Sequence, residues 1–547
     1  MEAVATVLVL MVAVVMSAIS ARLLPKVPLP LLQIVIGALL SYAGFNVRLD
    51  PEIFFLLFIP PLLFLDGWRI PKGAFFNDWR AILTLALGLV VFTVLGVGLL
   101  IDTMIPAMPL AVAFALAAIL SPTDPVAVTA ITRGAPIPSR LMHILEGEAL
   151  LNDASGLVCF RFAVAAALTG TFSLSEASIG FLSAATGGVL AGVAIAWTAA
   201  ATYHWLSRKI GGEPGTEILI GILIPFAAYM AAEHLHASGI LAAAAAGIAM
   251  HYADLMGRTL AVTRMQRSAI WDMLQATLNG AMFVVLGEQL PGVLARVPEI
   301  STSIHVGNPW RLAAYAVVIT LALPAMRFLW IAAWLITTRL FAPRHGRARR
   351  RPRLRFLFVA ALAGVRGAIT LAGIFTLPWA MPDGAPFPAR DLAIFLAMSV
   401  ILLSLLMASI GLPLLTKGLP LTDELQPSDQ ETDARIAGAE AAIRGLEQAR
   451  ALPAAGDPQA WAEATANVID AYRRRLSFGH ADGDEAEHMK RIAEAEQRLR
   501  IIALRAERDE YYRLRRSREI DDPLHRRLVR EVDLEEASLS SSLHRNS

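Results

Sequence analysis

Charge is what this sequence has least of. Only 17% of its 547 residues are Asp, Glu, Lys or Arg, where a soluble domain carries about a quarter. With 56% hydrophobic residues and a mean hydropathy of +0.55, the chain is too apolar to fold as a water-solvated globule. Cysteine is nearly missing: Cys159 stands alone in an apolar run, so there is no disulfide framework and no redox compartment to infer. A His-Glu-x-x-His metal site is absent, as is the Gly-x-Gly-Asp motif of an intramembrane aspartyl protease. That weighs against a protease built on Asp124 and Asp153, and no repeated filter loop suggests a channel. Ser17 to Ala21 resembles a cleavage site, but the only early charge is the acidic Glu2. A secretory signal wants a basic start, so the first segment reads as a retained span.

What is present divides the chain in two. Residues 1–417 hold run after run of apolar residues, whereas 418–547 are dense in Arg, Glu and Asp. About 20 apolar residues cross a bilayer as a helix. Thirteen stretches qualify, near 3–21, 28–46, 51–67, 81–101, 109–131, 144–168, 178–206, 216–234, 238–252, 270–292, 310–338, 356–380 and 391–416. One set of alternate loops carries Arg22 and Lys26; Arg69, Lys72 and Arg80; Arg133 and Arg140; Arg208 and Lys209; Arg258, Arg264 and Arg267; and the cluster from Arg339 to Arg355. The other set has little beyond Arg48, Arg296, Arg311 and Arg390. The positive-inside rule then puts the N-terminus outside and the tail in the cytoplasm. Topology and anionic lipid account for the basic 344–355 cluster, which removes the case for nucleic acid.

A charge at mid-bilayer costs roughly 2.5–3.5 kcal/mol on insertion scales, so those inside apolar runs need a reason. In span three, Pro60-Pro61 removes two backbone donors ahead of Asp66. Asp66 reads equally as an interfacial carboxylate paired with Arg69. In span five, Ser121-Pro122-Thr123-Asp124-Pro125 sets two prolines around Thr-Asp, which predicts a broken helix. A break at membrane depth survives only where it is buried or lines a cavity. Its freed carbonyls then suit a cation, and Asp124 offsets the positive end of a half-helix. In span six, Glu148 and Asn152 share a face, and Asp153 lies about 100° round, with Ala149 and Gly156. Burial penalises the charged form of a carboxylate, so at such a site proton and cation compete. In span twelve, Gly364-Val365-Arg366-Gly367 combines weak helix with a permanent charge, for which Glu148 is the expected partner. Arg161 either tunes the Asp153 site or snorkels to an interface, and Arg327 sits deep in its run with no assigned role.

The expected fold is therefore all-α and polytopic, with about thirteen transmembrane helices and a helical cytoplasmic tail. With span seven as a linker, the spans form two inverted six-helix repeats whose broken helices, five and twelve, occupy the same position. Paired interruptions of this kind mark a transport site.

The four motifs together, Pro60-Pro61 to Asp66-Gly67, Ser121 to Val128, Gly147 to Asp153 and Gly364 to Ala368, resemble the cation:proton antiporter-1 family of bacterial NhaP-type and animal NHE-type sodium/proton exchangers. The resemblance covers nearly all of residues 1–417. It implies a secondary antiporter rather than an enzyme, without cofactor, exchanging Na⁺ or Li⁺ for H⁺ in the plasma membrane as a homodimer with an elevator-like core. It further implies Na⁺ and H⁺ competing at Asp153, Asn152 completing an Asn-Asp pair that marks electroneutral exchange, and Thr123 and Asp124 at a crossing of unwound helices. Asp66 matches an acidic position, and Glu148 with Arg366 a structural ion pair. Many relatives carry Ser where Ala149 stands, which leaves K⁺/H⁺ exchange open. In the tail, helical spacing such as Met489, Ile492, Ala493, Ala495 and Leu499, with breaks near Pro453 to Pro458, Gly479 to Gly483 and Pro523, predicts three or four amphipathic helices. They either pack as a bundle or dimerise, or remain solvated, and Ser538 to Ser547 is expected to be disordered.

Overall fold

The architecture is that of a computed structural model. It describes residues 2–417 apart from 46–50, 71–77, 133–136, 172–173, 212, 257–260, 304–308 and 341–353. Beyond these it describes 429–450 and parts of 461–536. Lys72, Arg133, Arg258, most of the 339–355 cluster, the expected breaks in the tail and Ser538 to Ser547 lie outside the described residues.

The membrane part is helical. Its elements are α1 (Glu2–Leu23), α2 (Leu29–Tyr42), α3 (Pro51–Arg69), α4 (Trp79–Met104), α5 (Leu110–Ile119), α6 (Pro125–Ile131), α7 (Ser139–Thr169), α8 (Leu174–Ile210), α9 (Pro214–His234), α10 (Gly239–Met256), α11 (Ala261–Ala295), α12 (Val297–Ser303), α13 (Trp310–Leu340), α14 (Leu354–Leu362), α15 (Ala368–Phe375) and α16 (Arg390–Thr416). Among the described residues the only β feature is an isolated bridge between Ala380 and Pro386. Among the described residues, eight helices are long and apolar enough to cross a membrane by length and composition. The other predicted spans are shorter (α2, α3 and α10) or interrupted (α5/α6 and α14/α15).

Local chemistry sets the ends. Proline opens α6 and α9, where its fixed φ suits a first turn and its missing N–H is no loss. Gly170, at φ +70°, closes α7 in the left-handed conformation. Both predicted breaks are present: α5 stops short of Ser121 and α6 restarts at Pro125, while α14 and α15 are separated by 363–367. In contrast α3 runs on through Pro60 and Pro61.

The helices associate in two groups. In one, α2 packs on α11, and α3, α8 and α9 pack on α10. Glycines let backbones meet here: a Cβ on Gly37 would strike the Val284 carbonyl, and one on Gly287 the Ile34 carbonyl. In the other, α5 lies against α4 and α7, and α13 against α4, α14 and α16. Within α4, Thr84–Leu89 widens into a π-turn. Such turns free carbonyls. Here Trp330 Nε1 donates to Thr84 O at 3.1 Å, and Ser155 Oγ to Ala86 O at 2.7 Å.

Residues 421–547 form a separate compact unit. It contains α17 (Asp429–Arg450) and helical segments within 463–470, 499–514 and 531–536. Ala439, Ile469, Leu504 and Val532 are buried, and Arg508 joins Asp533 at 2.8 Å and also Glu536.

Candidate functional site

The two interrupted helices meet at their breaks. Asp124 N donates to Val365 O at 2.8 Å, so each unwound strand completes the other's backbone. Asp124 is the N-cap of α6, and its Oδ1 accepts from Val126 N at 2.9 Å and Ala127 N at 3.1 Å. The same carboxyl group faces Gly367, the N-cap of α15, so closely that a Cβ there would overlap it. One acid thus faces the positive ends of two half-helices.

The C-terminal ends are treated the opposite way. Arg366 Nε donates to Leu120 O at 2.7 Å, at the end of α5, and its Nη1 donates to Gly364 O. Arg327 Nε, on α13, donates to Ala360 O at 2.8 Å, near the end of α14. Unpaired carbonyls at a helix C-terminus carry partial negative charge, and a guanidinium satisfies both charge and hydrogen bonding. Arg327 also grips Glu148 with both terminal nitrogens: Nη2 reaches Oε2 at 2.5 Å and Nη1 contacts Oε1. Both side chains are almost fully buried, at 3% and 1% exposure.

This corrects the expected Glu148–Arg366 pair. Glu148 is bound by Arg327, and Arg366 holds carbonyls. Spans six and twelve are tied through α13 because the breaks present free carbonyls to Arg366 at closer range than the Glu148 carboxylate. Arg327, to which the sequence assigns no role, is the buried cation that holds Glu148. Its depth in an apolar run was the signal, but nothing local named its partner.

Asn152 joins that network rather than the cavity beside it. Its Nδ2 donates to Thr123 Oγ1 at 2.9 Å and approaches Glu148 Oε1 at 3.5 Å. Among the described residues Asn152 Oδ1 is buried without a partner. Asp153, on the neighbouring face of α7, lines a cavity of about 40 Å³ together with Asp66, Thr123, Asp124, Ala149 and Thr370. That volume accommodates two or three waters or one partly hydrated ion. Three carboxylates thus surround one small space, an arrangement that attracts a cation. Gln275 and Asn279 of α11 complete the wall. Arg69 does not take up Asp66: it donates to Asp272 Oδ1 at 2.6 Å and to Gln275 Oε1 at 2.9 Å. Arg161 reaches Glu233 of α9 at 3.1 Å, and its partner is therefore outside the Asp153 cavity. Sequence reading missed Gln275, Asn279 and Thr370, which lie in elements distant along the chain from Asp153 and carry no motif.

Comparison with known proteins identifies the family. Residues 8–418 match the family model described as sodium/hydrogen exchanger, transmembrane. The uncharacterized Na⁺/H⁺ exchanger YjcE of Escherichia coli K12 is 42% identical over 98% of this chain and 99% of its own length. A sodium, potassium, lithium and rubidium/H⁺ antiporter of Bacillus subtilis is 42% identical over 75% of this chain and 60% of its own. In fold, the chain is similar to the sodium proton antiporter MjNhaP1 of Methanocaldococcus jannaschii, with a TM-score of 0.51 at 18% identity, covering 77% of this chain and 99% of that one. A multi-pass membrane chain with crossed half-helices around a carboxylate-lined cavity, matched along its membrane part by that family model, is a transporter and not an enzyme: it belongs to the sodium/hydrogen exchanger family.

Proposed function

We propose that Asp153 is the carboxylate at which cation and proton alternate, with one Na⁺ or Li⁺ exchanged for one H⁺. The observation that carries this reading is the position of Asp153: it lines the cavity between the two helix groups, and among the described residues it has no hydrogen-bond partner. A carboxylate already held in an ion pair, as Glu148 is, cannot release and rebind cargo cheaply. Asp153 is neutralised by a proton or by a cation but not by both, which enforces exchange. Asp66, Thr123 and Asp124 supply further oxygens around the same space, while Asn152 holds the unwound Thr123 in place. A load that leaves Asp153 neutral in both directions makes the cycle electroneutral. Movement of the α4–α7 and α13–α16 group against the other exposes the cavity to alternate sides.

The test is collapse of a pH gradient in proteoliposomes on adding Na⁺, Li⁺ or K⁺. Wild type is expected to respond to at least one cation and Asp153→Asn to none. Exchange surviving in that variant at the wild-type rate would refute the assignment. K⁺/H⁺ exchange is the second reading, favoured by Ala149, whose methyl leaves the cavity wall without an oxygen at that point, and by the Bacillus relatives, which are named as sodium, potassium, lithium and rubidium/H⁺ antiporters.

In this reading the protein works in the plasma membrane, and its loop charges support an N-terminus outside and a tail inside. It works as a homodimer in lipid; the largely unburied apolar faces of α1 and α8 support contact with either. The tail, 418–547, regulates or dimerises the membrane domain. Deleting 425–547 should then change either the pH profile of exchange or the dimer content in detergent. Both staying unchanged would remove that role.

A further inference from the structure

We infer that Thr370, in the first turn of α15, supplies a hydroxyl oxygen to the transported cation and helps set which ion is preferred. This rests on the reading of Asp153 given above. Thr370 is 1% exposed and lines the same cavity as Asp153, Asp124 and Asp66. Among the described residues its Oγ1 is buried without a hydrogen-bond partner.

An orphaned hydroxyl in such a place is unusual for a physical reason. A threonine within an apolar helix ordinarily donates to the carbonyl four residues back. Thr320 does so to Ala316 O at 2.7 Å, and Thr416 to Leu412 O at 2.8 Å. For Thr370 the residue four back is Arg366, which lies in the unwound segment before the helix starts. Its hydroxyl therefore has no helical carbonyl four residues back, and it does not bond to Gly367 O, three back, as Thr129 does to Val126 O; the residue that carries it lines the cavity. A buried polar group without a partner is costly unless something fills its valence. Alkali cations are hard ions that take oxygen ligands, as calcium and magnesium do. A cation in this space satisfies the hydroxyl lone pairs, and the hydroxyl replaces part of the ion's lost hydration.

The rest of the wall fits the same reading. Ala149, one turn before Asp153 on α7, brings only a methyl group to the cavity. Thr123 Oγ1 already accepts from Asn152, and Asp124 Oδ1 is committed to the α6 backbone. Thr370 is thus a neutral oxygen on the wall that is not committed elsewhere. Because it comes from α15 and Asp153 from α7, the spacing between those helices sets how small an ion both can hold at once.

The test uses full-length protein in proteoliposomes, titrating Li⁺, Na⁺ and K⁺ against a fixed pH gradient. Thr370→Val, which keeps shape and removes the hydroxyl, should raise the half-saturating cation concentration about five- to tenfold at an unchanged maximal rate. It should also alter the ratio of half-saturating values between Li⁺ and K⁺, a change that a purely structural defect would not produce. Thr370→Ser, which keeps the hydroxyl, should behave as wild type. If Thr370→Val does not assemble, Thr370→Ala carries the same comparison. Wild-type half-saturation and ion ratios in the Val or Ala variant overturn the inference, as does an equal shift in Thr370→Ser. If those outcomes occur while wild type exchanges and Asp153→Asn is silent, only the role of Thr370 falls. If wild type exchanges no monovalent cation, the reading of the whole site falls with it.

Discussion

Arg327→Met should destabilise the protein by about 3–5 kcal/mol, the usual cost of stranding a buried charge. Glu148 would be left at 1% exposure without its bidentate partner, and Ala360 O, near the end of α14, would lose its donor. The measurement is the unfolding midpoint in detergent, by heat or by titration with a denaturing detergent. Adding Glu148→Gln to Arg327→Met should recover much of the loss, because a neutral amide is cheaper to bury than an unpaired carboxylate. The same variants discriminate between the two arginines. In double-mutant cycles, Glu148 should couple to Arg327 more strongly than to Arg366 by about 1 kcal/mol or more. The reverse order would refute the observed pairing.

Gly367→Ala should reduce exchange by about a hundredfold, the scale expected when a reacting group is displaced by roughly an ångström. The added Cβ would occupy space held by the Asp124 carboxyl group, and overlap both its Oδ2 and its Cγ. Asp124 must then withdraw from the N-terminus of α15, and the bond from Asp124 N to Val365 O that joins the two breaks is strained with it. The comparison is Gly221→Ala on α9, where the added Cβ would meet open space and the rate should stay at the wild-type level. Initial rates of gradient collapse, normalised to folded protein in the vesicles, read the difference. Wild-type exchange in Gly367→Ala would show that Asp124 does not need to sit between two helix ends.

The two effects have one origin. Interrupting a helix within a membrane exposes backbone groups that lipid cannot satisfy. This chain answers each exposed end with a side chain of opposite sign: Asp124 at the starts of α6 and α15, Arg366 at the end of α5, and Arg327 at the end of α14. Those side chains hold the crossing rigid. Asp153 remains outside that framework, and in this reading it is the carboxylate left to carry cargo.

Sequence alone determined whatever depends on local sterics and on the cost of charge in lipid. Prolines 122 and 125 fixed the break in span five, because a missing N–H and a ring clash act on the residues beside them. The glycines around Arg366 marked the second break for a different local reason, the backbone entropy a glycine loses in a helix. Helical periodicity separated Asp153 from Glu148 and Asn152, since 100° per residue places them on different faces. Tertiary structure alone decided partners. Glu148 and Arg327 are 179 residues apart, and no rule of spacing selects Arg327 over Arg366 when both lie in apolar runs. The same holds for Arg161 with Glu233, Arg69 with Asp272, and the π-turn that receives Ser155 and Trp330. Thr370 is the clearest case. A threonine in an apolar helix reads as satisfied by its own backbone, and only the tertiary structure shows Thr370 on the cavity wall with its hydroxyl unpartnered, one turn after the break.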